Sequence, residues 1–276
     1  MNNNKSMWTL VVAVNNDAVL ENTLLQSPDI DSNCQVLLKR GFPSAGAAYN
    51  SGLAEGTSEI VVFAHQDVYF PKGWKEDLDR SIRALEKKHS EWGVLGVFGI
   101  SAGIDGKPTG HCYSTGLRRV VGEPFSKPVR ARSLDELVLI VRRNSGLSFD
   151  DKLSGFHLYG TDICLSAHFA GLDCHIVPAF CIHNSNGVKY LPPAYWRCYF
   201  YMRHKWRNVL PVTTCCSLIS RSLKPFAAQV ISDIRLWLRG GRDVGTRSDD
   251  VVSLWNSLAL TADAGKTEPS SMERYV

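Results

Sequence analysis

Short apolar runs rich in β-branched residues punctuate the first two-thirds of the chain, and each stops at a polar cluster. Trp8–Val14 (WTLVVAV) ends at Asn15-Asn16-Asp17, 35–39 ends at Gly41 and Pro43, and 59–64 (EIVVFA) ends at His65-Gln66-Asp67. Further runs lie at 93–100, 137–141 and 174–178, and His183 follows the last of them on an expected loop. Apolar runs without alternation are what strands covered on both faces look like. Helical spacing falls between them. The stretch 44–54 carries small residues with Ala47, Ala48 and Leu53 available for packing, and 73–88 sets Trp74, Leu78, Ile82 and Leu85 on one face. A short helix capped by Asn16 or Asp17 is expected to run through Leu25, and another covers 162–170. The Gly-rich stretch 101–122 reads as surface hairpin. Strands alternating with helices predict an α/β fold, a Rossmann-like, mostly parallel sheet flanked by helices.

The pattern changes after residue 190. From 195 to 240, Trp196, Tyr199, Phe200, Tyr201, Trp206 and Trp237 interleave with Arg197, Arg203, Lys205, Arg207, Arg221, Arg235 and Arg239. Between Arg197 and Arg247 ten Lys/Arg stand against two Asp, so a net charge of +4 leaves the rest of the chain slightly acidic. The expected organisation is a domain at 1–190, a helical basic and aromatic segment at 191–262, and a frayed tail at 263–276. The basic segment reads first as a helical appendage with a solvated face, and second as a surface that rests on a membrane. A nucleic-acid role is disfavoured. Pro211, Pro225 and Gly240-Gly241 are expected to interrupt any single long helix.

No run reaches the roughly 18 apolar residues that span a bilayer. The N-terminus lacks the charged and apolar regions of a secretory signal, which favours a cytoplasmic address, or a peripheral one at the inner face of the membrane. Eight cysteines include no C-x-x-C pair and are expected to be reduced and mostly buried.

In open α/β sheets ligands sit beyond the carboxyl ends of the strands. Asn15-Asn16-Asp17, His65-Gln66-Asp67 and His183 all fall there. Asp67 and His183 could share a divalent metal that in turn holds a diphosphate. The plainer reading makes Asp67 a cap and His183 a satisfied loop residue. Asp162, near a helix start, is either an N-cap or a general base.

Taken together, 45–54 (AGAAYNSGLA), 58–69 (SEIVVFAHQDVY), 149–165 (FDDKLSGFHLYGTDICL) and 181–185 (CIHNS) resemble family 2 glycosyltransferases of the GT-A fold. The wording AHQDV and FHLYGTD is similar to a subgroup of the streptomycin-biosynthesis type. The resemblance covers about residues 8 to 187. It implies a nucleoside-diphosphate sugar donor, UDP-linked by preference, and a glycan or lipid-linked acceptor. It also implies a Mn2+ or Mg2+ cofactor and an inverting displacement at the anomeric carbon. By the same resemblance Asp67 and His183 hold the metal and Asp162 is the base. Asn15, Lys39, Asn50 and Gln66, with Asp67, line the nucleotide, while Asp135, Glu136 and Tyr159 border the sugar and acceptor.

Two departures from the family pattern stand out. His65 and Gln66 precede a single acid where two are common, and Thr161 precedes Asp162 where Glu is common. They leave open an inert nucleotide- or sugar-binding relative. A Rossmann dehydrogenase is disfavoured, since no G-x-G-x-x-G follows the first strand.

Overall fold

The computed structural model describes residues 7–88, 91–103 and 106–264, without the side chains of 261–264. The chain runs β1 (Trp8–Val14), α1 (Asp17–Asn22), β2 (Cys34–Arg40), α2 (Ala45–Glu55), β3 (Ile60–His65), β4 (Val68–Tyr69), α3 (Trp74–Glu86), β5 (Trp92–Gly96) and β6 (Phe98–Ser101). It continues with β7 (Pro108–Ser114), β8 (Arg119–Gly122), β9 (Val129–Leu134), β10 (Val138–Arg142), α4 (Tyr159–Phe169), β11 (Asp173–Ile176), β12 (Cys181–His183), α5 (Pro193–Lys205), β13 (Val212–Thr213), β14 (Leu218–Ile219), α6 (Lys224–Leu238) and α7 (Val251–Ala264).

The main sheet has the order β2-β1-β3-β10-β5-β11-β9-β6-β7-β12-β4, with β8 beside β7. This is the expected α/β fold with a large sheet flanked by helices. The pairing, however, is mixed. β2, β1 and β3 are parallel, whereas β10 enters antiparallel between β3 and β5. Apolar runs report burial on both faces but not strand direction, so the reversal at β10 left no trace in the pattern.

Burial on both faces is visible residue by residue. Along β1, β3 and β10, Val11, Val61, Phe63, Leu139 and Val141 join one core with α2, α4 and α5. Their neighbours Leu10, Val12, Val62, Ala64, Val138 and Ile140 join a second core with α1 and α3. Strand side chains alternate between faces, so every residue of these runs has a core to enter. At Gly52 the helix α2 rides directly on β1; a Cβ there would lie 2.2 Å from a Val11 methyl.

Several expectations are revised. The run 93–100 is two strands, β5 and β6, because the sheet changes partners there: β5 sits between β10 and β11, and β6 between β9 and β7. His183 ends a strand rather than occupying a loop. Pro225 does not interrupt a helix but sits in the first turn of α6, where a missing N–H costs nothing. Tyr195, Cys198, Tyr199 and Met202 of α5 belong to the same core as α4. Val251 of α7 packs with Tyr69 and Ile182. Of the tail expected at 263–276, residues 265–276 lie outside the described residues.

All eight cysteines are free thiols, and five are buried. Among the described residues no helix is long and apolar enough to cross a membrane.

Candidate functional site

The connection β1–α1–β2 moves to one side of β1, and β2–α2–β3 returns across it to the other. Strand order 2-1-3 therefore opens a crevice at the carboxyl ends of β1 and β3. A cavity of about 580 Å³ sits there, within the ordinary range for small-molecule sites. Its walls include Asn15 and Asp17 after β1, Lys39 and Arg40 at the end of β2, His65-Gln66-Asp67 after β3, and the aromatic rings of Phe42, Tyr49 and Phe156.

Of the residues expected to line a nucleotide, Asn15, Lys39, Gln66 and Asp67 meet in this cavity. Gln66 joins the ends of β1 and β3. Its side-chain oxygen accepts from the backbone N–H of Asn15 and Asn16 at 3.0 and 3.1 Å, and its amide donates to Asn15 Oδ1 at 2.5 Å. Lys39 lies 2.5 Å from Glu55 Oε2. Asn50 is elsewhere. Its amide donates to Phe149 O at 2.8 Å and its oxygen accepts Phe149 N–H at 2.9 Å, so it clamps the approach to α4 and is not among the cavity-lining residues.

Asp67 and His183 are brought together by strand pairing. β12 runs antiparallel to β4 with His183 opposite Val68, which places His183 Nε2 3.7 Å from Asp67 Oδ1. His65 completes the group: one ligand atom each from His65, Asp67 and His183 lie within 4.8 Å of one another. Burial holds the His65 ring below the ordinary histidine range and hence neutral, the form in which imidazole binds metals. The Tyr159 hydroxyl, 2.9 Å from His65 Nε2, sets the ring's orientation. Two imidazoles and one carboxylate suit a transition metal better than Mg2+, which prefers oxygen donors. His65 entered the sequence pattern only as a departure from a two-acid motif; it stands at the end of β3, and the turn that follows brings Asp67 beside it.

Arg247 was also missed as a site residue. It comes from the loop before α7, and its guanidinium lies 3.5 Å from Asp67 Oδ2 and donates to Asn184 O at 2.8 Å. The charge asymmetry of the C-terminal segment was legible, but its return to the sheet edge was not.

Asp135, Glu136 and Tyr159 form a second group beside the first. The Tyr159 hydroxyl donates to Glu136 O at 3.1 Å, linking it to His65. The Glu136 carboxylate meets the backbone N–H groups of Glu136, Leu158 and Gly160 at the start of α4. Gly160 is required there, because a Cβ would lie 2.7 Å from Leu134 O. Leu158 takes a φ of +64°, a left-handed conformation that costs a non-glycine residue energy. Burial, reinforced by the Asp135 charge, raises the Glu136 carboxyl to about 8 despite those hydrogen bonds.

Asp162 does not reach the cavity. It lies in the first turn of α4, 2% exposed, with Lys205 Nζ at 2.7 and 2.9 Å from its oxygens and Trp206 Nε1 at 2.7 Å. Lys205 also holds Asp150 at 2.7 Å. This network ties α4 to the end of α5. Asp162 therefore sits in a polar network between α4 and α5 and is not among the cavity-lining residues.

No family model matches the chain. A stretch of 117 residues, 40% of this chain and 45% of the relative, is 35% identical to a Fuscovulum blasticum protein described as "ATP synthase subunits region ORF 6". The match thus spans less than half the length of that relative. Among solved structures, S. aureus TarS is similar with a TM-score of 0.44 and 15% identity, over 73% of this chain and 40% of that one. S. aureus TarS 1-349 in complex with UDP-GlcNAc gives a TM-score of 0.45 and 14% identity, over 75% and 67%. Likeness of this degree assigns no chemistry to the chain.

Proposed function

We propose that the chain is a glycosyltransferase of the GT-A, family 2 type. It would move a sugar from a nucleoside diphosphate, UDP by preference, to a hydroxyl of a glycan or lipid-linked acceptor with inversion. The observation that carries this reading is the convergence of Asn15, Lys39, His65, Gln66, Asp67, His183 and Arg247 at the strand ends of one cavity and its rim. The sequence motifs at 45–69, 149–165 and 181–185 support it.

His65, Asp67 and His183 would hold a divalent metal, Mn2+ in preference to Mg2+ on their donor chemistry. When bound, the metal supplies charge that offsets the negative charge developing on the leaving diphosphate. Arg247 stands beside Asp67 and adds a second positive group for the same oxygens. Asn15 and Gln66 present amides to the nucleotide, and Phe42 and Phe156 present rings against which a base can lie. In calorimetric titration, UDP is expected to bind only with Mn2+ present, and Asp67→Ala is expected to weaken it at least about tenfold, the loss of one charge-assisted contact. Tight binding that ignores both the metal and the substitution would contradict the assignment.

Glu136 is the candidate base: it does not itself line the cavity, but it borders the Tyr159 link to His65, which does, and a carboxyl near 8 is matched to taking a proton near neutral pH. A specific observation favours a second reading, a nucleotide-binding relative without turnover: the carboxylate that the family motif would use, Asp162, is locked by Lys205 and Trp206. The two readings separate by pH. Glu136 must ionise to act, so kcat/KM should climb with pH through about 8. The stabilising contribution of its protonated form, complete below about 4.5, should fade over that same rise. Glu136→Gln should remove the limb and cut kcat about 10²-fold or more. Asp162→Asn should chiefly lower stability, by about 2 kcal/mol for lost charge-assisted bonds. An Asp162→Asn protein that melts normally but is inactive would return the base role to Asp162.

The basic segment 195–240 is read as a membrane-surface contact at the cytoplasmic face. Helix α6 buries none of its residues and exposes Ile231, Ile234, Trp237 and Leu238. Arg221, Lys224, Arg235, Arg239 and Arg242 lie on α6 or within a few residues of its ends. Exposed apolar residues close in sequence to cations suit an anionic lipid surface. The chain should sediment with vesicles containing anionic phospholipid, and Trp237→Glu should release it; equal sedimentation with neutral vesicles alone would refute a charge-assisted contact.

A further inference from the structure

A second group of metal-competent side chains lies away from the cavity. Cys164 and His168 stand one turn apart on α4 and therefore share a face. The chain turns at Gly171 and enters β11, where Cys174 points back at them. One ligand atom from each of the three lies within 4.8 Å of the other two. Both thiols are fully buried, while His168 is half-buried and opens onto a surface groove of about 350 Å³ lined also by Arg130, Leu172 and Asp173. Along α4, Cys164 and His168 lie about 7.5 and 13.5 Å from Tyr159, at roughly 1.5 Å per residue.

We propose that Cys164, His168 and Cys174 form a structural site for a soft divalent cation of the Zn2+ class, with solvent in the groove supplying the fourth ligand. The donor set is the first argument. Two thiolates and an imidazole are characteristic of zinc and unlike the oxygen-rich sets that hold Mg2+ or Ca2+. The spacing is the second. In a tetrahedral zinc site, sulfur and nitrogen ligands stand roughly 3.5–3.8 Å apart, as follows from bonds of about 2.3 and 2.0 Å, and the observed separations need only small side-chain rotations to reach that.

The present partners of the two sulfurs leave room for an ion: Cys164 Sγ donates to Arg132 O at 3.5 Å and Cys174 Sγ to Cys164 O at 3.6 Å, long contacts that bonds to a metal would replace. The Arg130 cation at the groove mouth is offset by Asp173, 2.5 Å away. A bound ion would pin α4 to β11, and through α4 steady the Leu158–Gly160 turn whose N–H groups meet the Glu136 carboxylate.

The test is cobalt titration of the full chain, stripped of metal by a chelator under reducing conditions. One equivalent of Co2+ should produce a thiolate-to-cobalt charge-transfer band, which Zn2+ then displaces with a rise in melting temperature. The band should persist in Asp67→Ala, which disables the other group, and vanish in Cys174→Ser. His168→Gln, altered at a half-buried position that leaves the core intact, should weaken Co2+ binding at least about tenfold. No charge-transfer band at saturating cobalt would overturn the proposal. So would a band that survives Cys174→Ser, or a Cys164–Cys174 disulfide found in the purified protein.

Discussion

The candidate site depends on Asn184. This side chain is fully buried, and every polar group it carries is used. Its backbone N–H donates to Asp67 O at 2.8 Å, and its amide donates to Thr23 Oγ1 at 3.1 Å and Ser248 O at 2.9 Å. Its side-chain oxygen accepts Ser248 N–H at 2.7 Å, and its carbonyl accepts Arg247 Nε at 2.8 Å. One residue thus holds the turn bearing Asp67, the strand end bearing His183, the α1 region and the loop bearing Arg247. An unsatisfied buried amide costs far more than a satisfied one contributes, so these four segments are held in one arrangement or not at all. The site is built from segments 180 residues apart in sequence, Asp67 to Arg247, and it needs such a knot.

Around that knot the two cores do the coarser work. Alternate residues of β1, β3 and β10 enter opposite cores, so the sheet is gripped from both sides and its strand ends are held at fixed separation. A metal-ligand group tolerates errors of only a fraction of an ångström, and such tolerance calls for rigid strands rather than free loops. The same economy of position appears at α4. Its start supplies N–H groups to Glu136, its fourth residue, Asp162, enters the Lys205–Trp206 network, and its middle and last turn offer Cys164 and His168 to Cys174.

What was legible in the sequence follows from these facts. Burial on both faces writes itself into composition, so β1, β2, β3, α2 and α3 appear within a residue or two of their expected limits. The strand-end position of Asn15, Gln66 and Asp67 follows from the same pattern, and they do share a cavity. Pairings between distant segments leave no local mark. The antiparallel entry of β10, the β12–β4 pairing that carries His183 to Asp67, and the return of Arg247 are all of that kind. Asp162 shows the same gap in another form. Its place at a helix start was readable, but the Lys205 and Trp206 side chains that enclose it lie 43 and 44 residues further on. Asn50 was misplaced because an asparagine on a helix can serve a ligand or a neighbouring backbone, and here both of its groups go to Phe149.

His65, Asp67 and His183 are proposed to bind the metal that anchors a nucleoside diphosphate in the strand-end cavity. Anomalous diffraction at the manganese edge, from crystals grown with UDP and Mn2+, addresses it directly. The account predicts one strong peak within bonding distance of all three side chains, with the diphosphate on the same ion and the base among Asn15, Phe42 and Phe156. A manganese peak remote from Asp67, or UDP held elsewhere on the chain, would contradict it.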